Sequence, residues 1–222
     1  MTCTLSGGQT QAVSPYTLRC ILVPVSRKRY RVALVTMGSE PETGLANGIR
    51  NELRQLRQRL RLDPSDNPLI WPIPGRLACS QRPLRDHPLF GGRGRPLPPE
   101  AGPEVVAWVQ RVCGFGIRSV ICLMHPKELR YYDNLDGVPT GLLGLYKGYG
   151  LEVCHIQWAD PAHAATPKDR GVLRNQVHQI KHQAYAAFTR LQKPVLLHCS
   201  AGIDRSAPVA EHIALSEQKR EQ

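Results

Sequence analysis

Cys199 and Arg205 are separated by five residues, Ser200, Ala201, Gly202, Ile203 and Asp204, with His198 before and Ser206 after. A thiol nucleophile and a planar guanidinium at this spacing suit chemistry on a phosphoryl group. Arg205 can bind two phosphoryl oxygens with its fork, which a lysine could not copy. The residues around them supply a setting for that chemistry. Val195-Leu196-Leu197 reads as a short apolar strand, and the small residues after Cys199 read as a tight turn. Ala207 to Leu215 reads as a helix with Pro208 in its first turn, where a missing N–H costs little. Strand, loop and helix N-terminus together make an anion site. The backbone N–H groups of residues 200 to 205 can converge on one oxyanion, and the helix dipole adds positive potential. The same field favours a thiolate, so Cys199 is expected to be nucleophilic near neutral pH. Ser206 can donate a hydrogen bond to the sulfur and ease its departure.

The run His198-Cys199-Ser200-Ala201-Gly202-Ile203, followed by Arg205-Ser206, resembles the signature of the cysteine-dependent protein tyrosine phosphatase superfamily. The resemblance implies a cysteinyl-phosphate intermediate, with no metal and no other cofactor. It also implies that residues 200 to 205 bind the substrate phosphate and that His198 supports the loop and thiolate from behind. Three further segments look like the dual-specificity phosphatase domain: Leu69 to Ala78, the helix and strand between Glu104 and Met124, and Glu128 with Tyr131 and Tyr132.

Transfer of phosphate to Cys199 needs an acid to protonate the leaving oxygen and then a base to activate water. Asp160 lies about forty residues before the nucleophile, just after a strand expected over Leu151 to Gln157. Trp158-Ala159-Asp160 is similar to the family's Trp-Pro-Asp loop, which implies that Asp160 is the acid. Otherwise it is a turn or capping residue, since Asp-Pro is a common turn pair. Asp204 is its competitor. Asp-Arg-Ser at the end of the signature resembles the myotubularin lipid phosphatases and some bacterial tyrosine or lipid phosphatases, in several of which the loop Asp supplies the acid. Otherwise Asp204 pins loop N–H groups.

The elements that must position these groups can be read in order. Residues 18 to 25 and 30 to 37 read as two strands joined by a turn at Ser26-Arg27-Lys28-Arg29. Leu45, Ile49, Leu53, Leu56 and Leu60 then recur at helical spacing, with Arg50, Arg54, Arg57, Arg59 and Arg61 mostly off that stripe. Asp63 to Pro68 is a turn-rich break. It divides a strand-strand-helix extension, residues 1–63, from a phosphatase-like catalytic domain, residues 69–222. Residues 82 to 103 hold six prolines, four glycines and four arginines, and are expected to form a long irregular loop too Pro-rich for core structure. It either shapes the substrate entrance or lies on the surface. Residues 139 to 149 suit a helix despite three glycines. Asp169 to Leu191 reads as one continuous helix. His178 and His182 on it are spaced as metal ligands can be. No third ligand is in view, so no metal is expected. Seventeen residues follow Arg205. Family domains usually continue with more helix, so either the N-terminal piece covers that flank or the chain is a short or divergent form.

The expected fold is α/β, a mostly parallel central sheet flanked by helices, protein tyrosine phosphatase-like, with a small N-terminal β-β-α extension. Composition sets the remaining bounds. The 222 residues carry 29 Lys and Arg against 18 Asp and Glu, a net charge of +11, which favours anionic partners. No apolar run of membrane-spanning length and no signal-peptide pattern is present. Seven scattered cysteines without a Cys-x-x-Cys pair suit a reducing, cytoplasmic setting. The expected substrate is a phosphorylated protein. An inositol phosphate or phosphoinositide is the alternative, and RNA 5′ phosphate ranks lower because only 6% of residues are aromatic. A phosphate-binding pseudophosphatase acting as an interaction module is the rival outside enzymes. The basic helix over Arg50 to Arg61 could take an acidic partner, or it is a solvated face.

Overall fold

The computed structural model describes residues 21–26, 29–33, 44–92, 94–160 and 166–222. The chain divides into two compact units, Met1–Pro41 and Glu42–Gln222. In the first, β1 (Ile21–Ser26) and β2 (Arg29–Ala33) pair antiparallel as a hairpin. The outer ends of the expected strands, residues 18–20 and 34–37, lie outside the described residues, as do Arg27 and Lys28 of the turn.

The second unit is an α/β domain. Its five-stranded sheet runs in the order β3 (Ile70–Ile73), β4 (Leu77–Ser80), β7 (Val195–His198), β5 (Ser119–Cys122), β6 (Glu152–His155). β4, β7, β5 and β6 are mutually parallel, and β3 is an antiparallel edge. The segment expected to be one strand and a bend, residues 69–78, thus becomes the first hairpin of the sheet. Near-continuous apolar runs such as Val195-Leu196-Leu197 are buried on both faces, as parallel strands require.

The two faces divide by the alternation of the strands. Leu77, Cys79, Ile121, Val195, Leu197 and Cys199 point to one side, against α1 (Gly44–Leu62), α6 (Val177–Arg190) and α7 (Ser206–Glu221). Ala78, Val120, Cys122 and Leu196 point to the other, against α2 (Gly102–Gly114) and α4 (Gly141–Gly148). A central strand therefore delivers successive side chains to opposite layers.

Three expectations are corrected. The helix over Leu45 to Leu60 does not belong with the hairpin in a 1–63 extension, because the division falls at Pro41/Glu42. Its stripe, Ile49, Leu53, Leu56 and Leu60, is buried in the main core, and α1 packs on α7. The first turn of α1 is held by Glu211 of α7, whose Oε1 accepts from the Ala46 N–H at 3.1 Å. A carboxylate at a helix N-terminus satisfies an orphan donor and meets the positive end of the dipole. α1 thus covers α7.

Second, the helix expected from Asp169 to Leu191 is two, α5 (Pro167–Asn175) and α6, broken at Gln176. The indole N–H of Trp158 donates to the Leu173 carbonyl at 3.3 Å. That carbonyl is the one a continuous helix would offer to the Val177 N–H.

Third, the 82–103 segment is not wholly surface. Arg82, Leu84, Asp86 and Leu97 are buried. Asp86 is held by Arg57 (Nε to Oδ2, 2.5 Å) and Arg61 (Nη2 to Oδ1, 2.7 Å) of α1. Burial alone would raise the Asp86 carboxyl. The two guanidiniums, helped by Arg85, instead hold it below the usual range. Two of the five arginines once free for an acidic partner are therefore committed within the chain. A third, Arg59, pairs with Asp66 at 3.1 Å.

Among the described residues, no helix is long and apolar enough to cross a membrane. Because Leu53 is fully buried between α1 and the sheet, Leu53→Ala is expected to cost the main domain about 3 kcal/mol. Urea unfolding followed by the fluorescence of Trp71, Trp108 and Trp158 measures it. A module packed apart from the sheet would leave that transition unmoved.

Candidate functional site

β7 lies in the middle of the parallel sheet, and Cys199 follows its last residue. That is the C-terminal edge, where open α/β sheets bind ligands. Cys199 continues the face occupied by Leu197 and is buried in the α1/α6/α7 layer. His198 faces the other way. Its Nδ1 lies 3.2 Å from the Cys199 carbonyl oxygen and its Nε2 lies 3.2 Å from the Tyr146 hydroxyl of α4. An Nδ1–H donor and an Nε2 acceptor satisfy both contacts, with the tyrosine O–H donating. Burial, opposed by the bond to Cys199 and reinforced by Arg205, pushes the imidazole down to about 4. His198 is thus a neutral strut behind Cys199. Tyr146, its anchor, is not marked by any sequence motif.

The loop after Cys199 is shaped by close packing on β4. Gly202 has φ +79°, and a Cβ there would sit 2.6 Å from the Ser80 carbonyl oxygen. Both the backbone conformation and the space require glycine. The Arg82 N–H donates to the Ser200 carbonyl at 3.0 Å. Ala207, in the first turn of α7, donates to the Ile203 carbonyl at 3.1 Å. Among the described residues, no protein acceptor takes a backbone N–H of Ser200, Ala201, Gly202, Ile203, Asp204, Arg205 or Ser206. Buried backbone donors are almost always paired. Seven backbone donors without a protein acceptor thus lie at the N-terminus of the sixteen-residue helix α7, the kind of place where helices take anions.

Arg205 ends this loop and is 1% exposed. Its Nη1 and Nη2 meet both oxygens of Glu128, at 2.7 and 2.6 Å. Nη1 also donates to the carbonyls of Leu123 (3.1 Å) and Trp158 (2.7 Å). Those contacts occupy the end of the guanidinium. Nε–H and the second Nη2–H remain, and they lie along one edge of the fork. Burial opposes the charge of Arg205. The charges of Cys199, Glu128 and Asp160 outweigh it and push the guanidinium higher still. Glu128 answers in kind. Burial would raise it, but Arg205, the His125 N–H and Ser200 hold it below the usual carboxylate range.

Glu128 is the main residue that motif reading left out of the site. Its local signal is a capping box on α3 (Pro126–Leu129), where its Oε2 accepts from the His125 N–H at 2.8 Å. That spacing fixes where the carboxylate sits on its own helix. It gives no hint of a partner 77 positions away.

The two candidate acids are placed differently. Asp160 is half-buried, two residues beyond the carbonyl of Trp158 that binds Arg205, and near enough to favour the Arg205 charge. Pro161, Ala162 and His163 lie outside the described residues. Asp204 is exposed. Ser206 is buried at the start of α7, and its Oγ has no hydrogen-bond partner, Cys199 included. The ring of His182 meets that of His212 edge-on at 5.1 Å. No set of three or more His, Cys, Asp or Glu side chains among the described residues could hold a metal ion.

Two outcomes test this geometry. Gly202→Ala is expected to destabilise the domain by about 2 kcal/mol or more, read as a lower urea midpoint. His198 gives a pH dependence with a defined sign. The folded state holds it neutral down to about 4, while the unfolded chain takes up the proton near 6.5. Its contribution is complete above pH 6.5 and is lost as pH falls toward 4, about 3 kcal/mol in all. Glu128 adds a further loss below the ordinary carboxylate range. His198→Asn should flatten the pH 6.5 to 4 part of a plot of stability against pH. Compared with known proteins, the chain matches no protein-family model and no curated protein.

Proposed function

We propose that the chain hydrolyses phosphate monoesters through a cysteinyl-phosphate on Cys199, as a dual-specificity-type protein phosphatase with a protein tyrosine phosphatase-like fold. The observation that carries this reading is the cradle itself. Seven unclaimed backbone N–H groups, the free edge of the Arg205 fork and the Cys199 sulfur are gathered at one helix N-terminus.

In the proposed first step the Cys199 thiolate attacks phosphorus. An S–P bond forms as the P–O bond to the leaving group breaks. The cradle amides and the Nε/Nη2 edge of Arg205 hold the phosphoryl oxygens as charge shifts among them. Asp160 gives its proton to the leaving oxygen. In the second step a water attacks the same phosphorus and passes a proton to the Asp160 carboxylate. The S–P bond breaks, and inorganic phosphate and the thiolate are released. The unpartnered Ser206 hydroxyl is available to donate to the departing sulfur, and His198 keeps the Cys199 backbone in place. Ser200, Ala201, Gly202, Ile203, Asp204 and Arg205 bind through the backbone, so the loop recognises phosphate and leaves the rest of the substrate to the rim. Asp160 is preferred to exposed Asp204 as the acid because it lies near the guanidinium that would hold the phosphoryl group.

Turnover of an aryl phosphate under reducing conditions without added metal tests the reading. Cys199→Ser is expected to abolish it. Asp160→Asn should lower kcat by roughly 100-fold for a poor leaving group and far less for a good one, because protonation matters most for the poor one. If Asp204→Asn shows that leaving-group dependence instead, the acid is Asp204. Folded wild type with no turnover and no vanadate affinity would sink the phosphatase.

A further inference from the structure

The two ends of the Ser200–Arg205 loop are tied to one short segment, Pro126–Tyr132. At the far end Glu128 grips Arg205. At the near end the Ser200 carbonyl accepts from the Arg82 N–H, and the Arg82 side chain then reaches the same segment. Its Nη1 donates to the Tyr132 hydroxyl at 3.1 Å, and its guanidinium lies over the rings of Tyr131 (5.1 Å) and Tyr132 (5.8 Å). Its Nη2 donates to the Gly92 carbonyl at 2.8 Å, and the Tyr132 hydroxyl donates onward to the Pro83 carbonyl at 2.8 Å. Arg82 therefore joins the cradle, the 126–132 segment and the 82–97 loop at one point.

This arginine is unusual in its surroundings. It is fully buried, and among the described residues no carboxylate pairs with it. Its Nε is buried with no hydrogen-bond partner. A buried cation is costly unless a counter-charge repays it, and an apolar side chain of similar length would fill the space at less cost. A neutral phenol, one carbonyl and two ring faces are a partial repayment. Anionic charge held in the adjacent loop would complete it, since charges separated by low-dielectric protein act over several ångströms.

We infer that Arg82 is a positioning residue for the phosphate cradle, fixing the curvature of its Ser200 end and adding a positive charge behind it. The inference rests on the phosphate reading above. Arg82 touches neither the nucleophile nor the phosphoryl group, and it acts through the Ser200 backbone and through its field.

The test uses the full chain and orthovanadate as probe, with Arg82→Met, Arg82→Lys and Tyr132→Phe. Vanadate affinity is measured well below each unfolding midpoint, beside the pH dependence of Cys199 alkylation by iodoacetamide. Arg82→Met is expected to weaken vanadate by roughly tenfold or more and to move the alkylation curve to higher pH. Arg82→Lys should recover part of both, and Tyr132→Phe should give a smaller loss in the same direction. A purely structural role would lower the unfolding midpoint and leave both readouts where they were. If Arg82→Met folds and binds vanadate within about twofold of wild type, the inference is overturned. If it does not fold, unchanged affinity in both other variants overturns it equally. Wild type without vanadate affinity would overturn the phosphate reading and this inference together. Wild-type binding with unmoved variants overturns only the inference.

Discussion

The buried pair of Arg205 and Glu128 is the interaction around which the domain is assembled. A guanidinium 1% exposed must recover the solvation it has lost. It does so with a two-point carboxylate and two carbonyls. Leu123 follows β5, Glu128 rides on α3, and Trp158 follows β6. The loops leaving three adjacent parallel strands are thus pulled around one charge. Trp158 is committed twice, since its indole also takes the Leu173 carbonyl and breaks the α5–α6 helix there. The requirement of one cation sets the path of several loops and one helix boundary.

The second constraint is the alternation of β7. Because successive side chains leave opposite faces, Cys199 and His198 fall in different layers and are supported separately. The sulfur side is covered by α1, α6 and α7, and the imidazole side by α4 through Tyr146. Cys199 is the point where a rigid strand gives way to a loop rich in unclaimed donors. The strand fixes where the thiol sits at the edge of that loop.

Part of the arginine charge is paired within the chain. Arg57 and Arg61 are spent on Asp86, Arg76 on Glu217 and Glu221, and Arg205 on Glu128. Each of these pairs joins elements distant in sequence. Four of the 22 arginines therefore cross-link elements of the fold.

Local patterns in the sequence determined a good deal. Apolar runs marked β5, β6 and β7, and helical stripes marked α1, α2 and α6. The stretch from Val195 to Leu215 marked a strand, a loop and a helix N-terminus. These features depend on neighbours a few residues apart, so one chain read in order contains them. The partners did not follow from such patterns. That α1 closes the main core, that Glu128 holds Arg205, that Tyr146 orients His198 and that Arg82 underlies Ser200 are contacts between residues 52 to 165 positions apart. Ordinary leucines, a capping glutamate and a tyrosine in a glycine-containing helix carry no mark of such roles. Only the tertiary structure decided them, because burial and charge compensation depend on what lies across the core and not on what lies next in the chain.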